Sequence, residues 1–317
     1  MRSAAVLIPT LRRPESLART LRSVFAQAEL VERVREIVVA DNDPEGSAAD
    51  TVRALRPAAP VPLRHVHVPR PGVATARNGA LAATDAPVIV WIDDDEEAEP
   101  GWLAALLSAH ARSGADVTFG PIRGRISDES HWARAYLERL FGREGPAVDG
   151  PAPRVWGCGN SAMTRATALP GAAPFETAAD HTGGEDDILF DRLKARGGRF
   201  GWAAGAWVIE HAPAHRATLA YALRRAFAYG QSPCQEAARR RAPLTVLKWM
   251  AVGAVQVAIH GALALALSLL GRPERADQLD RAARGLGKLL WAPWFEPRLY
   301  GQAALGSVQP TPGAAPA

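Results

Sequence analysis

Short apolar runs punctuate the first hundred residues. Residues 4–8, 37–40 and 88–92 are continuously apolar, and residues 63–68 alternate between apolar and polar positions. Continuous runs read as strands covered on both faces, and alternation reads as a strand covered on one. Between them, apolar residues recur at helical spacing. Leu17, Leu21, Val24 and Phe25 mark a helix within 14–28, and shorter patterns occupy 48–55 and 78–83. Alternating strands and helices predict an α/β chain with a mostly parallel central sheet. Further on, the pattern predicts a strand at 116–119, an amphipathic helix at 132–141 and a mobile Gly/Pro-rich loop at 142–153. A helix carrying Ile188, Leu189 and Leu193 and a strand-like run at 206–209 follow. Residues 249–270 carry no formal charge over about 22 positions.

In such sheets ligands bind beyond the carboxyl ends of the strands. Pro9, Thr10, Asp41 and Asp93 lie at three such ends, so one crevice holds them all. The 88–92 run stops in Asp93-Asp94-Asp95. Strand alternation puts Asp93 and Asp95 on one side and Asp94 on the other. Paired carboxylates there make a hard oxygen site for a divalent cation. The competing reading is a solvated acidic loop, since Glu96, Glu97 and Glu99 follow. Residues 72–79 place Arg77 and Asn78 at a loop-to-helix junction, where a helix amino end and a guanidinium both favour phosphate. An ordinary helix start is the alternative. Asp41 either accepts from a base or ribose or forms a turn before Pro44.

No G-x-G-x-x-G follows the first strand, and no G-x-x-x-x-G-K-[ST] occurs, so a dehydrogenase or P-loop enzyme would lack its usual phosphate cradle. Together, Pro9-Thr10, Asp41, the 71–78 stretch and Asp93-x-Asp95 resemble the nucleotide-sugar half of family-two glycosyltransferases of the GT-A fold. The resemblance implies that Thr10 and Asp41 hold the base, with Pro9, Asn78 and Asp94 lining the nucleotide sugar. It implies that Arg77 contacts the diphosphate and that Asp93 and Asp95 bind Mg²⁺ or Mn²⁺. Leu11-Arg12 departs from the family's tyrosine-asparagine.

A second acidic focus lies at Gly183-Gly184-Glu185-Asp186-Asp187. Acidic residues suit a helix amino end through the dipole alone. The functional reading is a general base that takes a proton from an attacking hydroxyl. The family's E-D motif maps onto Glu185-Asp186, with Asp186 as base and Asp187 as a rival. Asn160, among glycines at 157–159, either approaches the nucleotide sugar or marks a turn before a strand. His211 is either a third metal ligand, a phosphate contact or an ordinary hydrogen-bonded histidine. Residues 183–186, Glu210, Arg216, Arg224-Arg225 and 230–232 resemble succinoglycan-type exopolysaccharide glycosyltransferases.

Composition narrows the setting. A hydrophobic content of 48% excludes a mainly disordered chain, and a net charge of +4 over 317 residues gives no argument for nucleic acid. The two cysteines form no disulfide framework, and residues 1–9 lack a signal-peptide pattern. A reducing compartment is expected. Arg224, Arg225, Arg239, Arg240, Arg241 and Lys248 crowd ahead of the 249–270 run, which fits an anionic membrane surface. The expected organisation is a glycosyltransferase domain over 1–235 (a nucleotide-sugar half to 115, an acceptor half beyond), a membrane-associated helical segment over 236–300 and a disordered tail over 301–317. Residues 286–295 read as interfacial. The implied activity is metal-dependent, inverting transfer from a UDP-sugar or related donor to a saccharide or lipid-linked acceptor. Its place is the cytoplasmic face of the inner or plasma membrane. The alternatives are a sugar nucleotidyltransferase and a non-catalytic membrane adaptor.

Overall fold

The computed structural model describes residues 3–129, 131–181 and 183–297. The elements in chain order begin with β1 (Ala4–Thr10), α1 (Pro14–Phe25), α2 (Leu30–Arg33), β2 (Val34–Asp41), α3 (Ala49–Leu55) and β3 (Leu63–His67). Next come α4 (Val73–Ala82), β4 (Val88–Trp91), β5 (Glu96–Ala98), α5 (Trp102–Ser113), β6 (Val117–Phe119), β7 (Ile122–Arg125) and α6 (Arg134–Phe141). They continue with β8 (Gly150–Pro151), β9 (Ser161–Thr164), α7 (Arg165–Ala168), α8 (Glu185–Ala195), β10 (Phe200–Trp202) and β11 (Val208–His211). The chain closes with α9 (Leu219–Arg239), α10 (Pro243–Leu269) and α11 (Arg275–Leu289).

Of the described residues, 3–123 and 142–211 belong to one compact unit, 124–141 and 212–297 to another. The expected boundary at 235 falls inside α9. In the first unit the main sheet runs β3-β2-β1-β4-β9-β6-β10-β8. β1, β2, β3 and β4 are mutually parallel, as are β6 and β10, while β9 is antiparallel to both β4 and β6. Both faces are covered. Val6 and Ile8 pack with Leu17, Leu21, Trp102 and Leu106 on one side, and Ala5 and Leu7 with Ala74, Leu81 and Trp91 on the other. That two-sided burial is why β1, β2 and β4 carry unbroken apolar runs.

The register brings Thr10 level with Asp41. β4 stops at Trp91, so Asp94 and Asp95 occupy a turn and not a strand. Helix α4 starts at Val73, five residues ahead of the apolar pattern, because its first turns are buried through the small residues Ala74 and Ala76 and through Arg77. Residues 142–153 are not a free loop: Arg143 pairs with Ile122 through two backbone hydrogen bonds, and β8 joins β10.

The second unit is helical. Its helices meet at glycines, where backbones come too close for a side chain: a Cβ at Gly230 would lie 2.2 Å from the Arg284 carbonyl oxygen, and one at Gly253 would lie 2.6 Å from that of Gly285. Arg139 pairs with Asp277 at 2.7 Å and the Tyr136 hydroxyl donates to Asp280 at 2.9 Å. Helix α10 is 27 residues long, longer than the uncharged run, and is the one helix among the described residues long and apolar enough to cross a membrane. Residues 301–317, expected to be a disordered tail, lie outside the described residues.

Candidate active site

The loop after β4 is held from three directions. Thr10 Oγ1 donates to Asp94 Oδ2 at 2.7 Å, and Arg13 donates to Asp94 Oδ1 at 2.9 Å and to Asp95 Oδ2 at 2.6 Å. Thr20 Oγ1 reaches the carbonyls of Asp94 and Glu96 from α1. Asp94 and Asp95 therefore share one guanidinium, which corrects the strand-based expectation that Asp95 faces with Asp93. The turn breaks the two-residue alternation on which that expectation rested. Burial pushes the Asp94 carboxyl up to about 6, aided by Asp95 and Asp93 and opposed by Arg13 and Thr10.

Asp93 faces a different cation. Its Oδ1 lies 3.6 Å from Arg77 of α4, and the same guanidinium is ion-paired to Glu185 of α8. Arg77 is buried, with Trp91 and Phe175 rings 5.9 and 5.7 Å from its guanidinium carbon. Its Nε has no partner among the described residues. Burial raises the Asp93 carboxyl above its ordinary range, and the charges of Asp95 and Asp186 add to that. Glu96, buried and accepting from the Asp93 amide at 2.8 Å, is raised well above the ordinary range by burial and by Asp93.

The two acidic foci converge on one stretch of backbone. Cys158 N donates to Asp186 Oδ2 at 3.1 Å. A Cβ at Gly157 would stand 2.9 Å from Asp186 Oδ2, and one at Gly159 only 2.6 Å from Asp93 Oδ2. The glycines permit this close approach. Asp186 and Asp93 thus border the two ends of a three-residue segment, and Arg77 joins Asp93 to the neighbouring Glu185. Asp187, the rival of Asp186, is exposed. Burial and Asp186 raise the Glu185 carboxyl, and Arg77 opposes them.

Arg143, which sequence reasoning passed over, anchors that segment. Its guanidinium is buried and donates to the carbonyls of Gly159 at 2.8 Å and Gly157 at 3.2 Å, with longer contacts to Gly120 and Asn160. Burial lowers its pKa, and the nearby charges of Glu96 and Glu210 oppose that. A lone arginine in a Gly/Pro-rich stretch was the only local sign.

Several expected ligand contacts turn inward. Asn160 sits in the left-handed region (φ 48°) with its side chain fully buried. Its amide accepts from Trp102 Nε1 and donates to the carbonyls of Pro121 and Ala206. Asn78 exchanges two hydrogen bonds with the Phe175 backbone. Asp41 is fully buried and accepts from the amides of Ala48 and Asp43, with His65 Nε2 3.0 Å away. Pro9 lies within β1, level with Ala40. The amino end of α4, expected to favour phosphate, is taken by Asp180, which accepts from the amide and hydroxyl of Thr75. Gly72 (φ 153°) makes room for it: a Cβ there would lie 2.1 Å from Asp180 Cγ. Asn42 ties the ends of β2 and β3 to the same loop through Val68, Arg70 and Gly72. Asp180 and Asn42 act over separations no local motif records.

His211 ends β11. Its amide donates to the Asp95 carbonyl at 2.8 Å, and its Nε2 lies 2.7 Å from Glu97 Oε2. Among the described residues no three His, Cys, Asp or Glu side chains converge on one point. Asp93 and Asp95 offer hard carboxylate oxygens, a donor type that suits a divalent cation; burial leads the upward shift of Asp93, Asp95 and Asp186 add to it, and Arg77 opposes it.

Comparison with known proteins bears on the family and the fold. Over 226 residues the chain is 34% identical to the succinoglycan biosynthesis protein ExoM of Rhizobium meliloti, covering 70% of this chain and 71% of that one. It is 32% identical over 109 residues to validoxylamine A glucosyltransferase of Streptomyces hygroscopicus subsp. jinggangensis, covering 34% of this chain and 25% of that one. Among solved structures, GalNAc-T7 with UDP, GalNAc and Mn²⁺ superposes with a TM-score of 0.55 at 16% identity, over 74% of this chain and 51% of that one. TarS of S. aureus with UDP-GlcNAc superposes with a TM-score of 0.50 at 16% identity, over 66% and 58%. These likenesses give the GT-A fold. The glycosyl transferase family 2 profile matches residues 5–168, and with the extent of the ExoM match it establishes that the chain belongs to glycosyl transferase family 2.

Proposed function

We propose that this glycosyltransferase moves a sugar from a nucleoside diphosphate sugar, with a UDP-sugar favoured, to a hydroxyl of a lipid-linked saccharide during exopolysaccharide or cell-surface glycan synthesis. The reading rests above all on Asp93 and Asp186 bordering one short glycine segment. That segment spans about 7 Å of extended chain at most. The reading is supported by the likeness to the succinoglycan biosynthesis protein of Rhizobium meliloti and by the UDP and UDP-GlcNAc held by the two structural neighbours.

Asp93 and Asp95 would hold Mg²⁺ or Mn²⁺ once Asp95 leaves Arg13, with His211, whose amide donates to the Asp95 carbonyl, as a third ligand once it leaves Glu97. A divalent cation there supplies positive charge toward the departing diphosphate. Arg77 adds a fixed positive charge at the same place, where the transition state gains negative charge. Its spare Nε–H is a further donor. Thr10, Asp41 and Asp94 shape the base end. Asp186, rather than Asp187, takes the acceptor proton. The acceptor oxygen bonds to the anomeric carbon as the bond from that carbon to the diphosphate oxygen breaks. One displacement inverts the anomeric centre. Glu185 holds Arg77 in place and does not take the proton.

The apolar helix α10 supports a membrane-bound acceptor. Two free, buried cysteines suit the reducing cytoplasmic face. The test is a panel of nucleotide sugars assayed with Mg²⁺, Mn²⁺ or chelator. Metal-dependent release of a nucleoside diphosphate from one donor is expected, with inverted product configuration by NMR. Equal turnover in chelator, or retained configuration, would remove those parts of the reading.

A further inference from the structure

By length alone α10 suffices to cross a bilayer. Its 27 residues rise about 40 Å, against a hydrocarbon core about 30 Å thick. What packs against it argues otherwise. Gly253 meets Gly285 backbone to backbone, and His260 Nδ1 lies 2.8 Å from Gln278 Oε1. These two contacts set an antiparallel register that lays α11 along the middle of α10. Helix α11 carries Arg275, Asp277, Asp280, Arg281, Arg284 and Lys288. Asp277 is paired to Arg139, and Asp280 accepts from Tyr136 and Arg284, so this polar side is built into the unit. An α10 that crossed the bilayer would carry those groups to its centre, where charge is costly.

We infer that α10 lies in the plane of the membrane, with one half sunk into a single leaflet of anionic lipid. The inference rests on the membrane-surface reading above and adds the orientation. Apart from Lys248, Thr245 and Ser268 near its ends, the exposed half is apolar, from Leu244 (80% exposed) through Leu247, Val255, Ile259 and Leu265 to Leu269 (82% exposed). Gly253, Gln256, His260 and Ala264 fall on the opposite half, toward the protein. A half-cylinder of this kind suits a surface and leaves a spanning helix half wrong. Lys248 is the only formally charged residue of α10; it and Arg241 are exposed near the helix's amino end, where they meet lipid phosphates. Trp294, 80% exposed, suits the headgroup level.

The test uses spin labels at Leu244→Cys, Val255→Cys, Ala262→Cys and Leu269→Cys in the full chain; the native Cys158 and Cys234 are buried and stay unlabelled. Vesicles are of phosphatidylethanolamine with phosphatidylglycerol, or of phosphatidylcholine alone. Immersion is read from collisions with oxygen and with a water-soluble nickel complex. Equal, shallow immersion at all four sites is expected. Removing Lys248 and Arg241 as glutamines should weaken binding to the anionic vesicles about fivefold per charge. A depth that peaks at positions 255 and 262, with 244 and 269 open to opposite sides, would overturn the in-plane seat and leave the membrane reading standing. No immersion at any site would overturn both, as would labels shielded without lipid by self-association in sedimentation.

Discussion

The cleft around Gly157–Gly159 and the helices α9, α10 and α11 break the usual distribution of side chains in opposite senses. In the cleft, Arg77, Arg143, Asp94, Glu96 and Glu185 are all buried. Along α10, leucines, a valine and an isoleucine stand exposed. Burying charge costs stability unless it is partnered, and exposing a continuous apolar band invites association. Neither helps a water-soluble chain to fold. Under the function proposed above, the buried charges serve the donor's diphosphate and the apolar band serves lipid.

The largest expected effect sharpens the cleft side. Asp186→Asn should lower transfer about a thousandfold while donor binding and the melting temperature hold. Near-normal turnover would take Asp186 out of the base role. Arg143→Met should destabilise the fold by about 3 kcal/mol in urea titration, because the Gly157 and Gly159 carbonyls lose charged donors. A surviving fraction should show a lower kcat at unchanged donor KM. Arg143→Lys should recover only part, lacking the planar fork.

A buried histidine away from the cleft offers a control. His110 sits between the hydroxyls of Thr118 and Thr164, and burial lowers its pKa to about 4. The native state therefore binds that proton more weakly than the unfolded chain, whose histidine titrates near 6.5. Its contribution is complete above about pH 6.5 and is lost as pH falls toward 4, by up to about 3 kcal/mol. His110→Gln should flatten stability against pH over that window. An unchanged slope would assign the window to other groups.

On the opposite side, Ile259→Asp should leave the melting temperature in buffer unchanged, since Ile259 is exposed. It should weaken vesicle binding by roughly 2 kcal/mol, about thirtyfold. Loss of stability in buffer would mean that this face is packed in solution and would dissolve the contrast.

Much of this was legible beforehand, for local reasons. Residues 4–8, 37–40 and 88–92 are strands because both faces are covered, and continuous apolar runs record that directly. Membership of glycosyl transferase family 2, readable in Thr10, Asp41, Arg77 and the two acidic motifs, sets aside the nucleotidyltransferase and adaptor alternatives. The turn at Asp94-Asp95 was misread because a strand's alternation was carried past its end at Trp91. The loop at 142–153 was misread because Gly and Pro mark irregular backbone, which is not the same as free backbone. Asn78 as a ligand contact, and Asn160 as either a ligand contact or a turn before a strand, are both expectations the residues allow; their amides instead satisfy buried backbone groups, and Asn160 does sit in a bend directly ahead of β9.

By itself, the sequence determined where the buried strands of the first half lie, which carboxylates follow them and that a long apolar helix lies near the carboxyl end, since these depend on neighbours along the chain. Only the tertiary structure decided which cation each carboxylate meets: Arg13 for Asp94 and Asp95, Arg77 for Asp93 and Glu185. It also decided that α11 lies along the middle of α10. Such pairings join residues far apart in the chain, and electrostatics and packing act through space, so no local pattern encodes them.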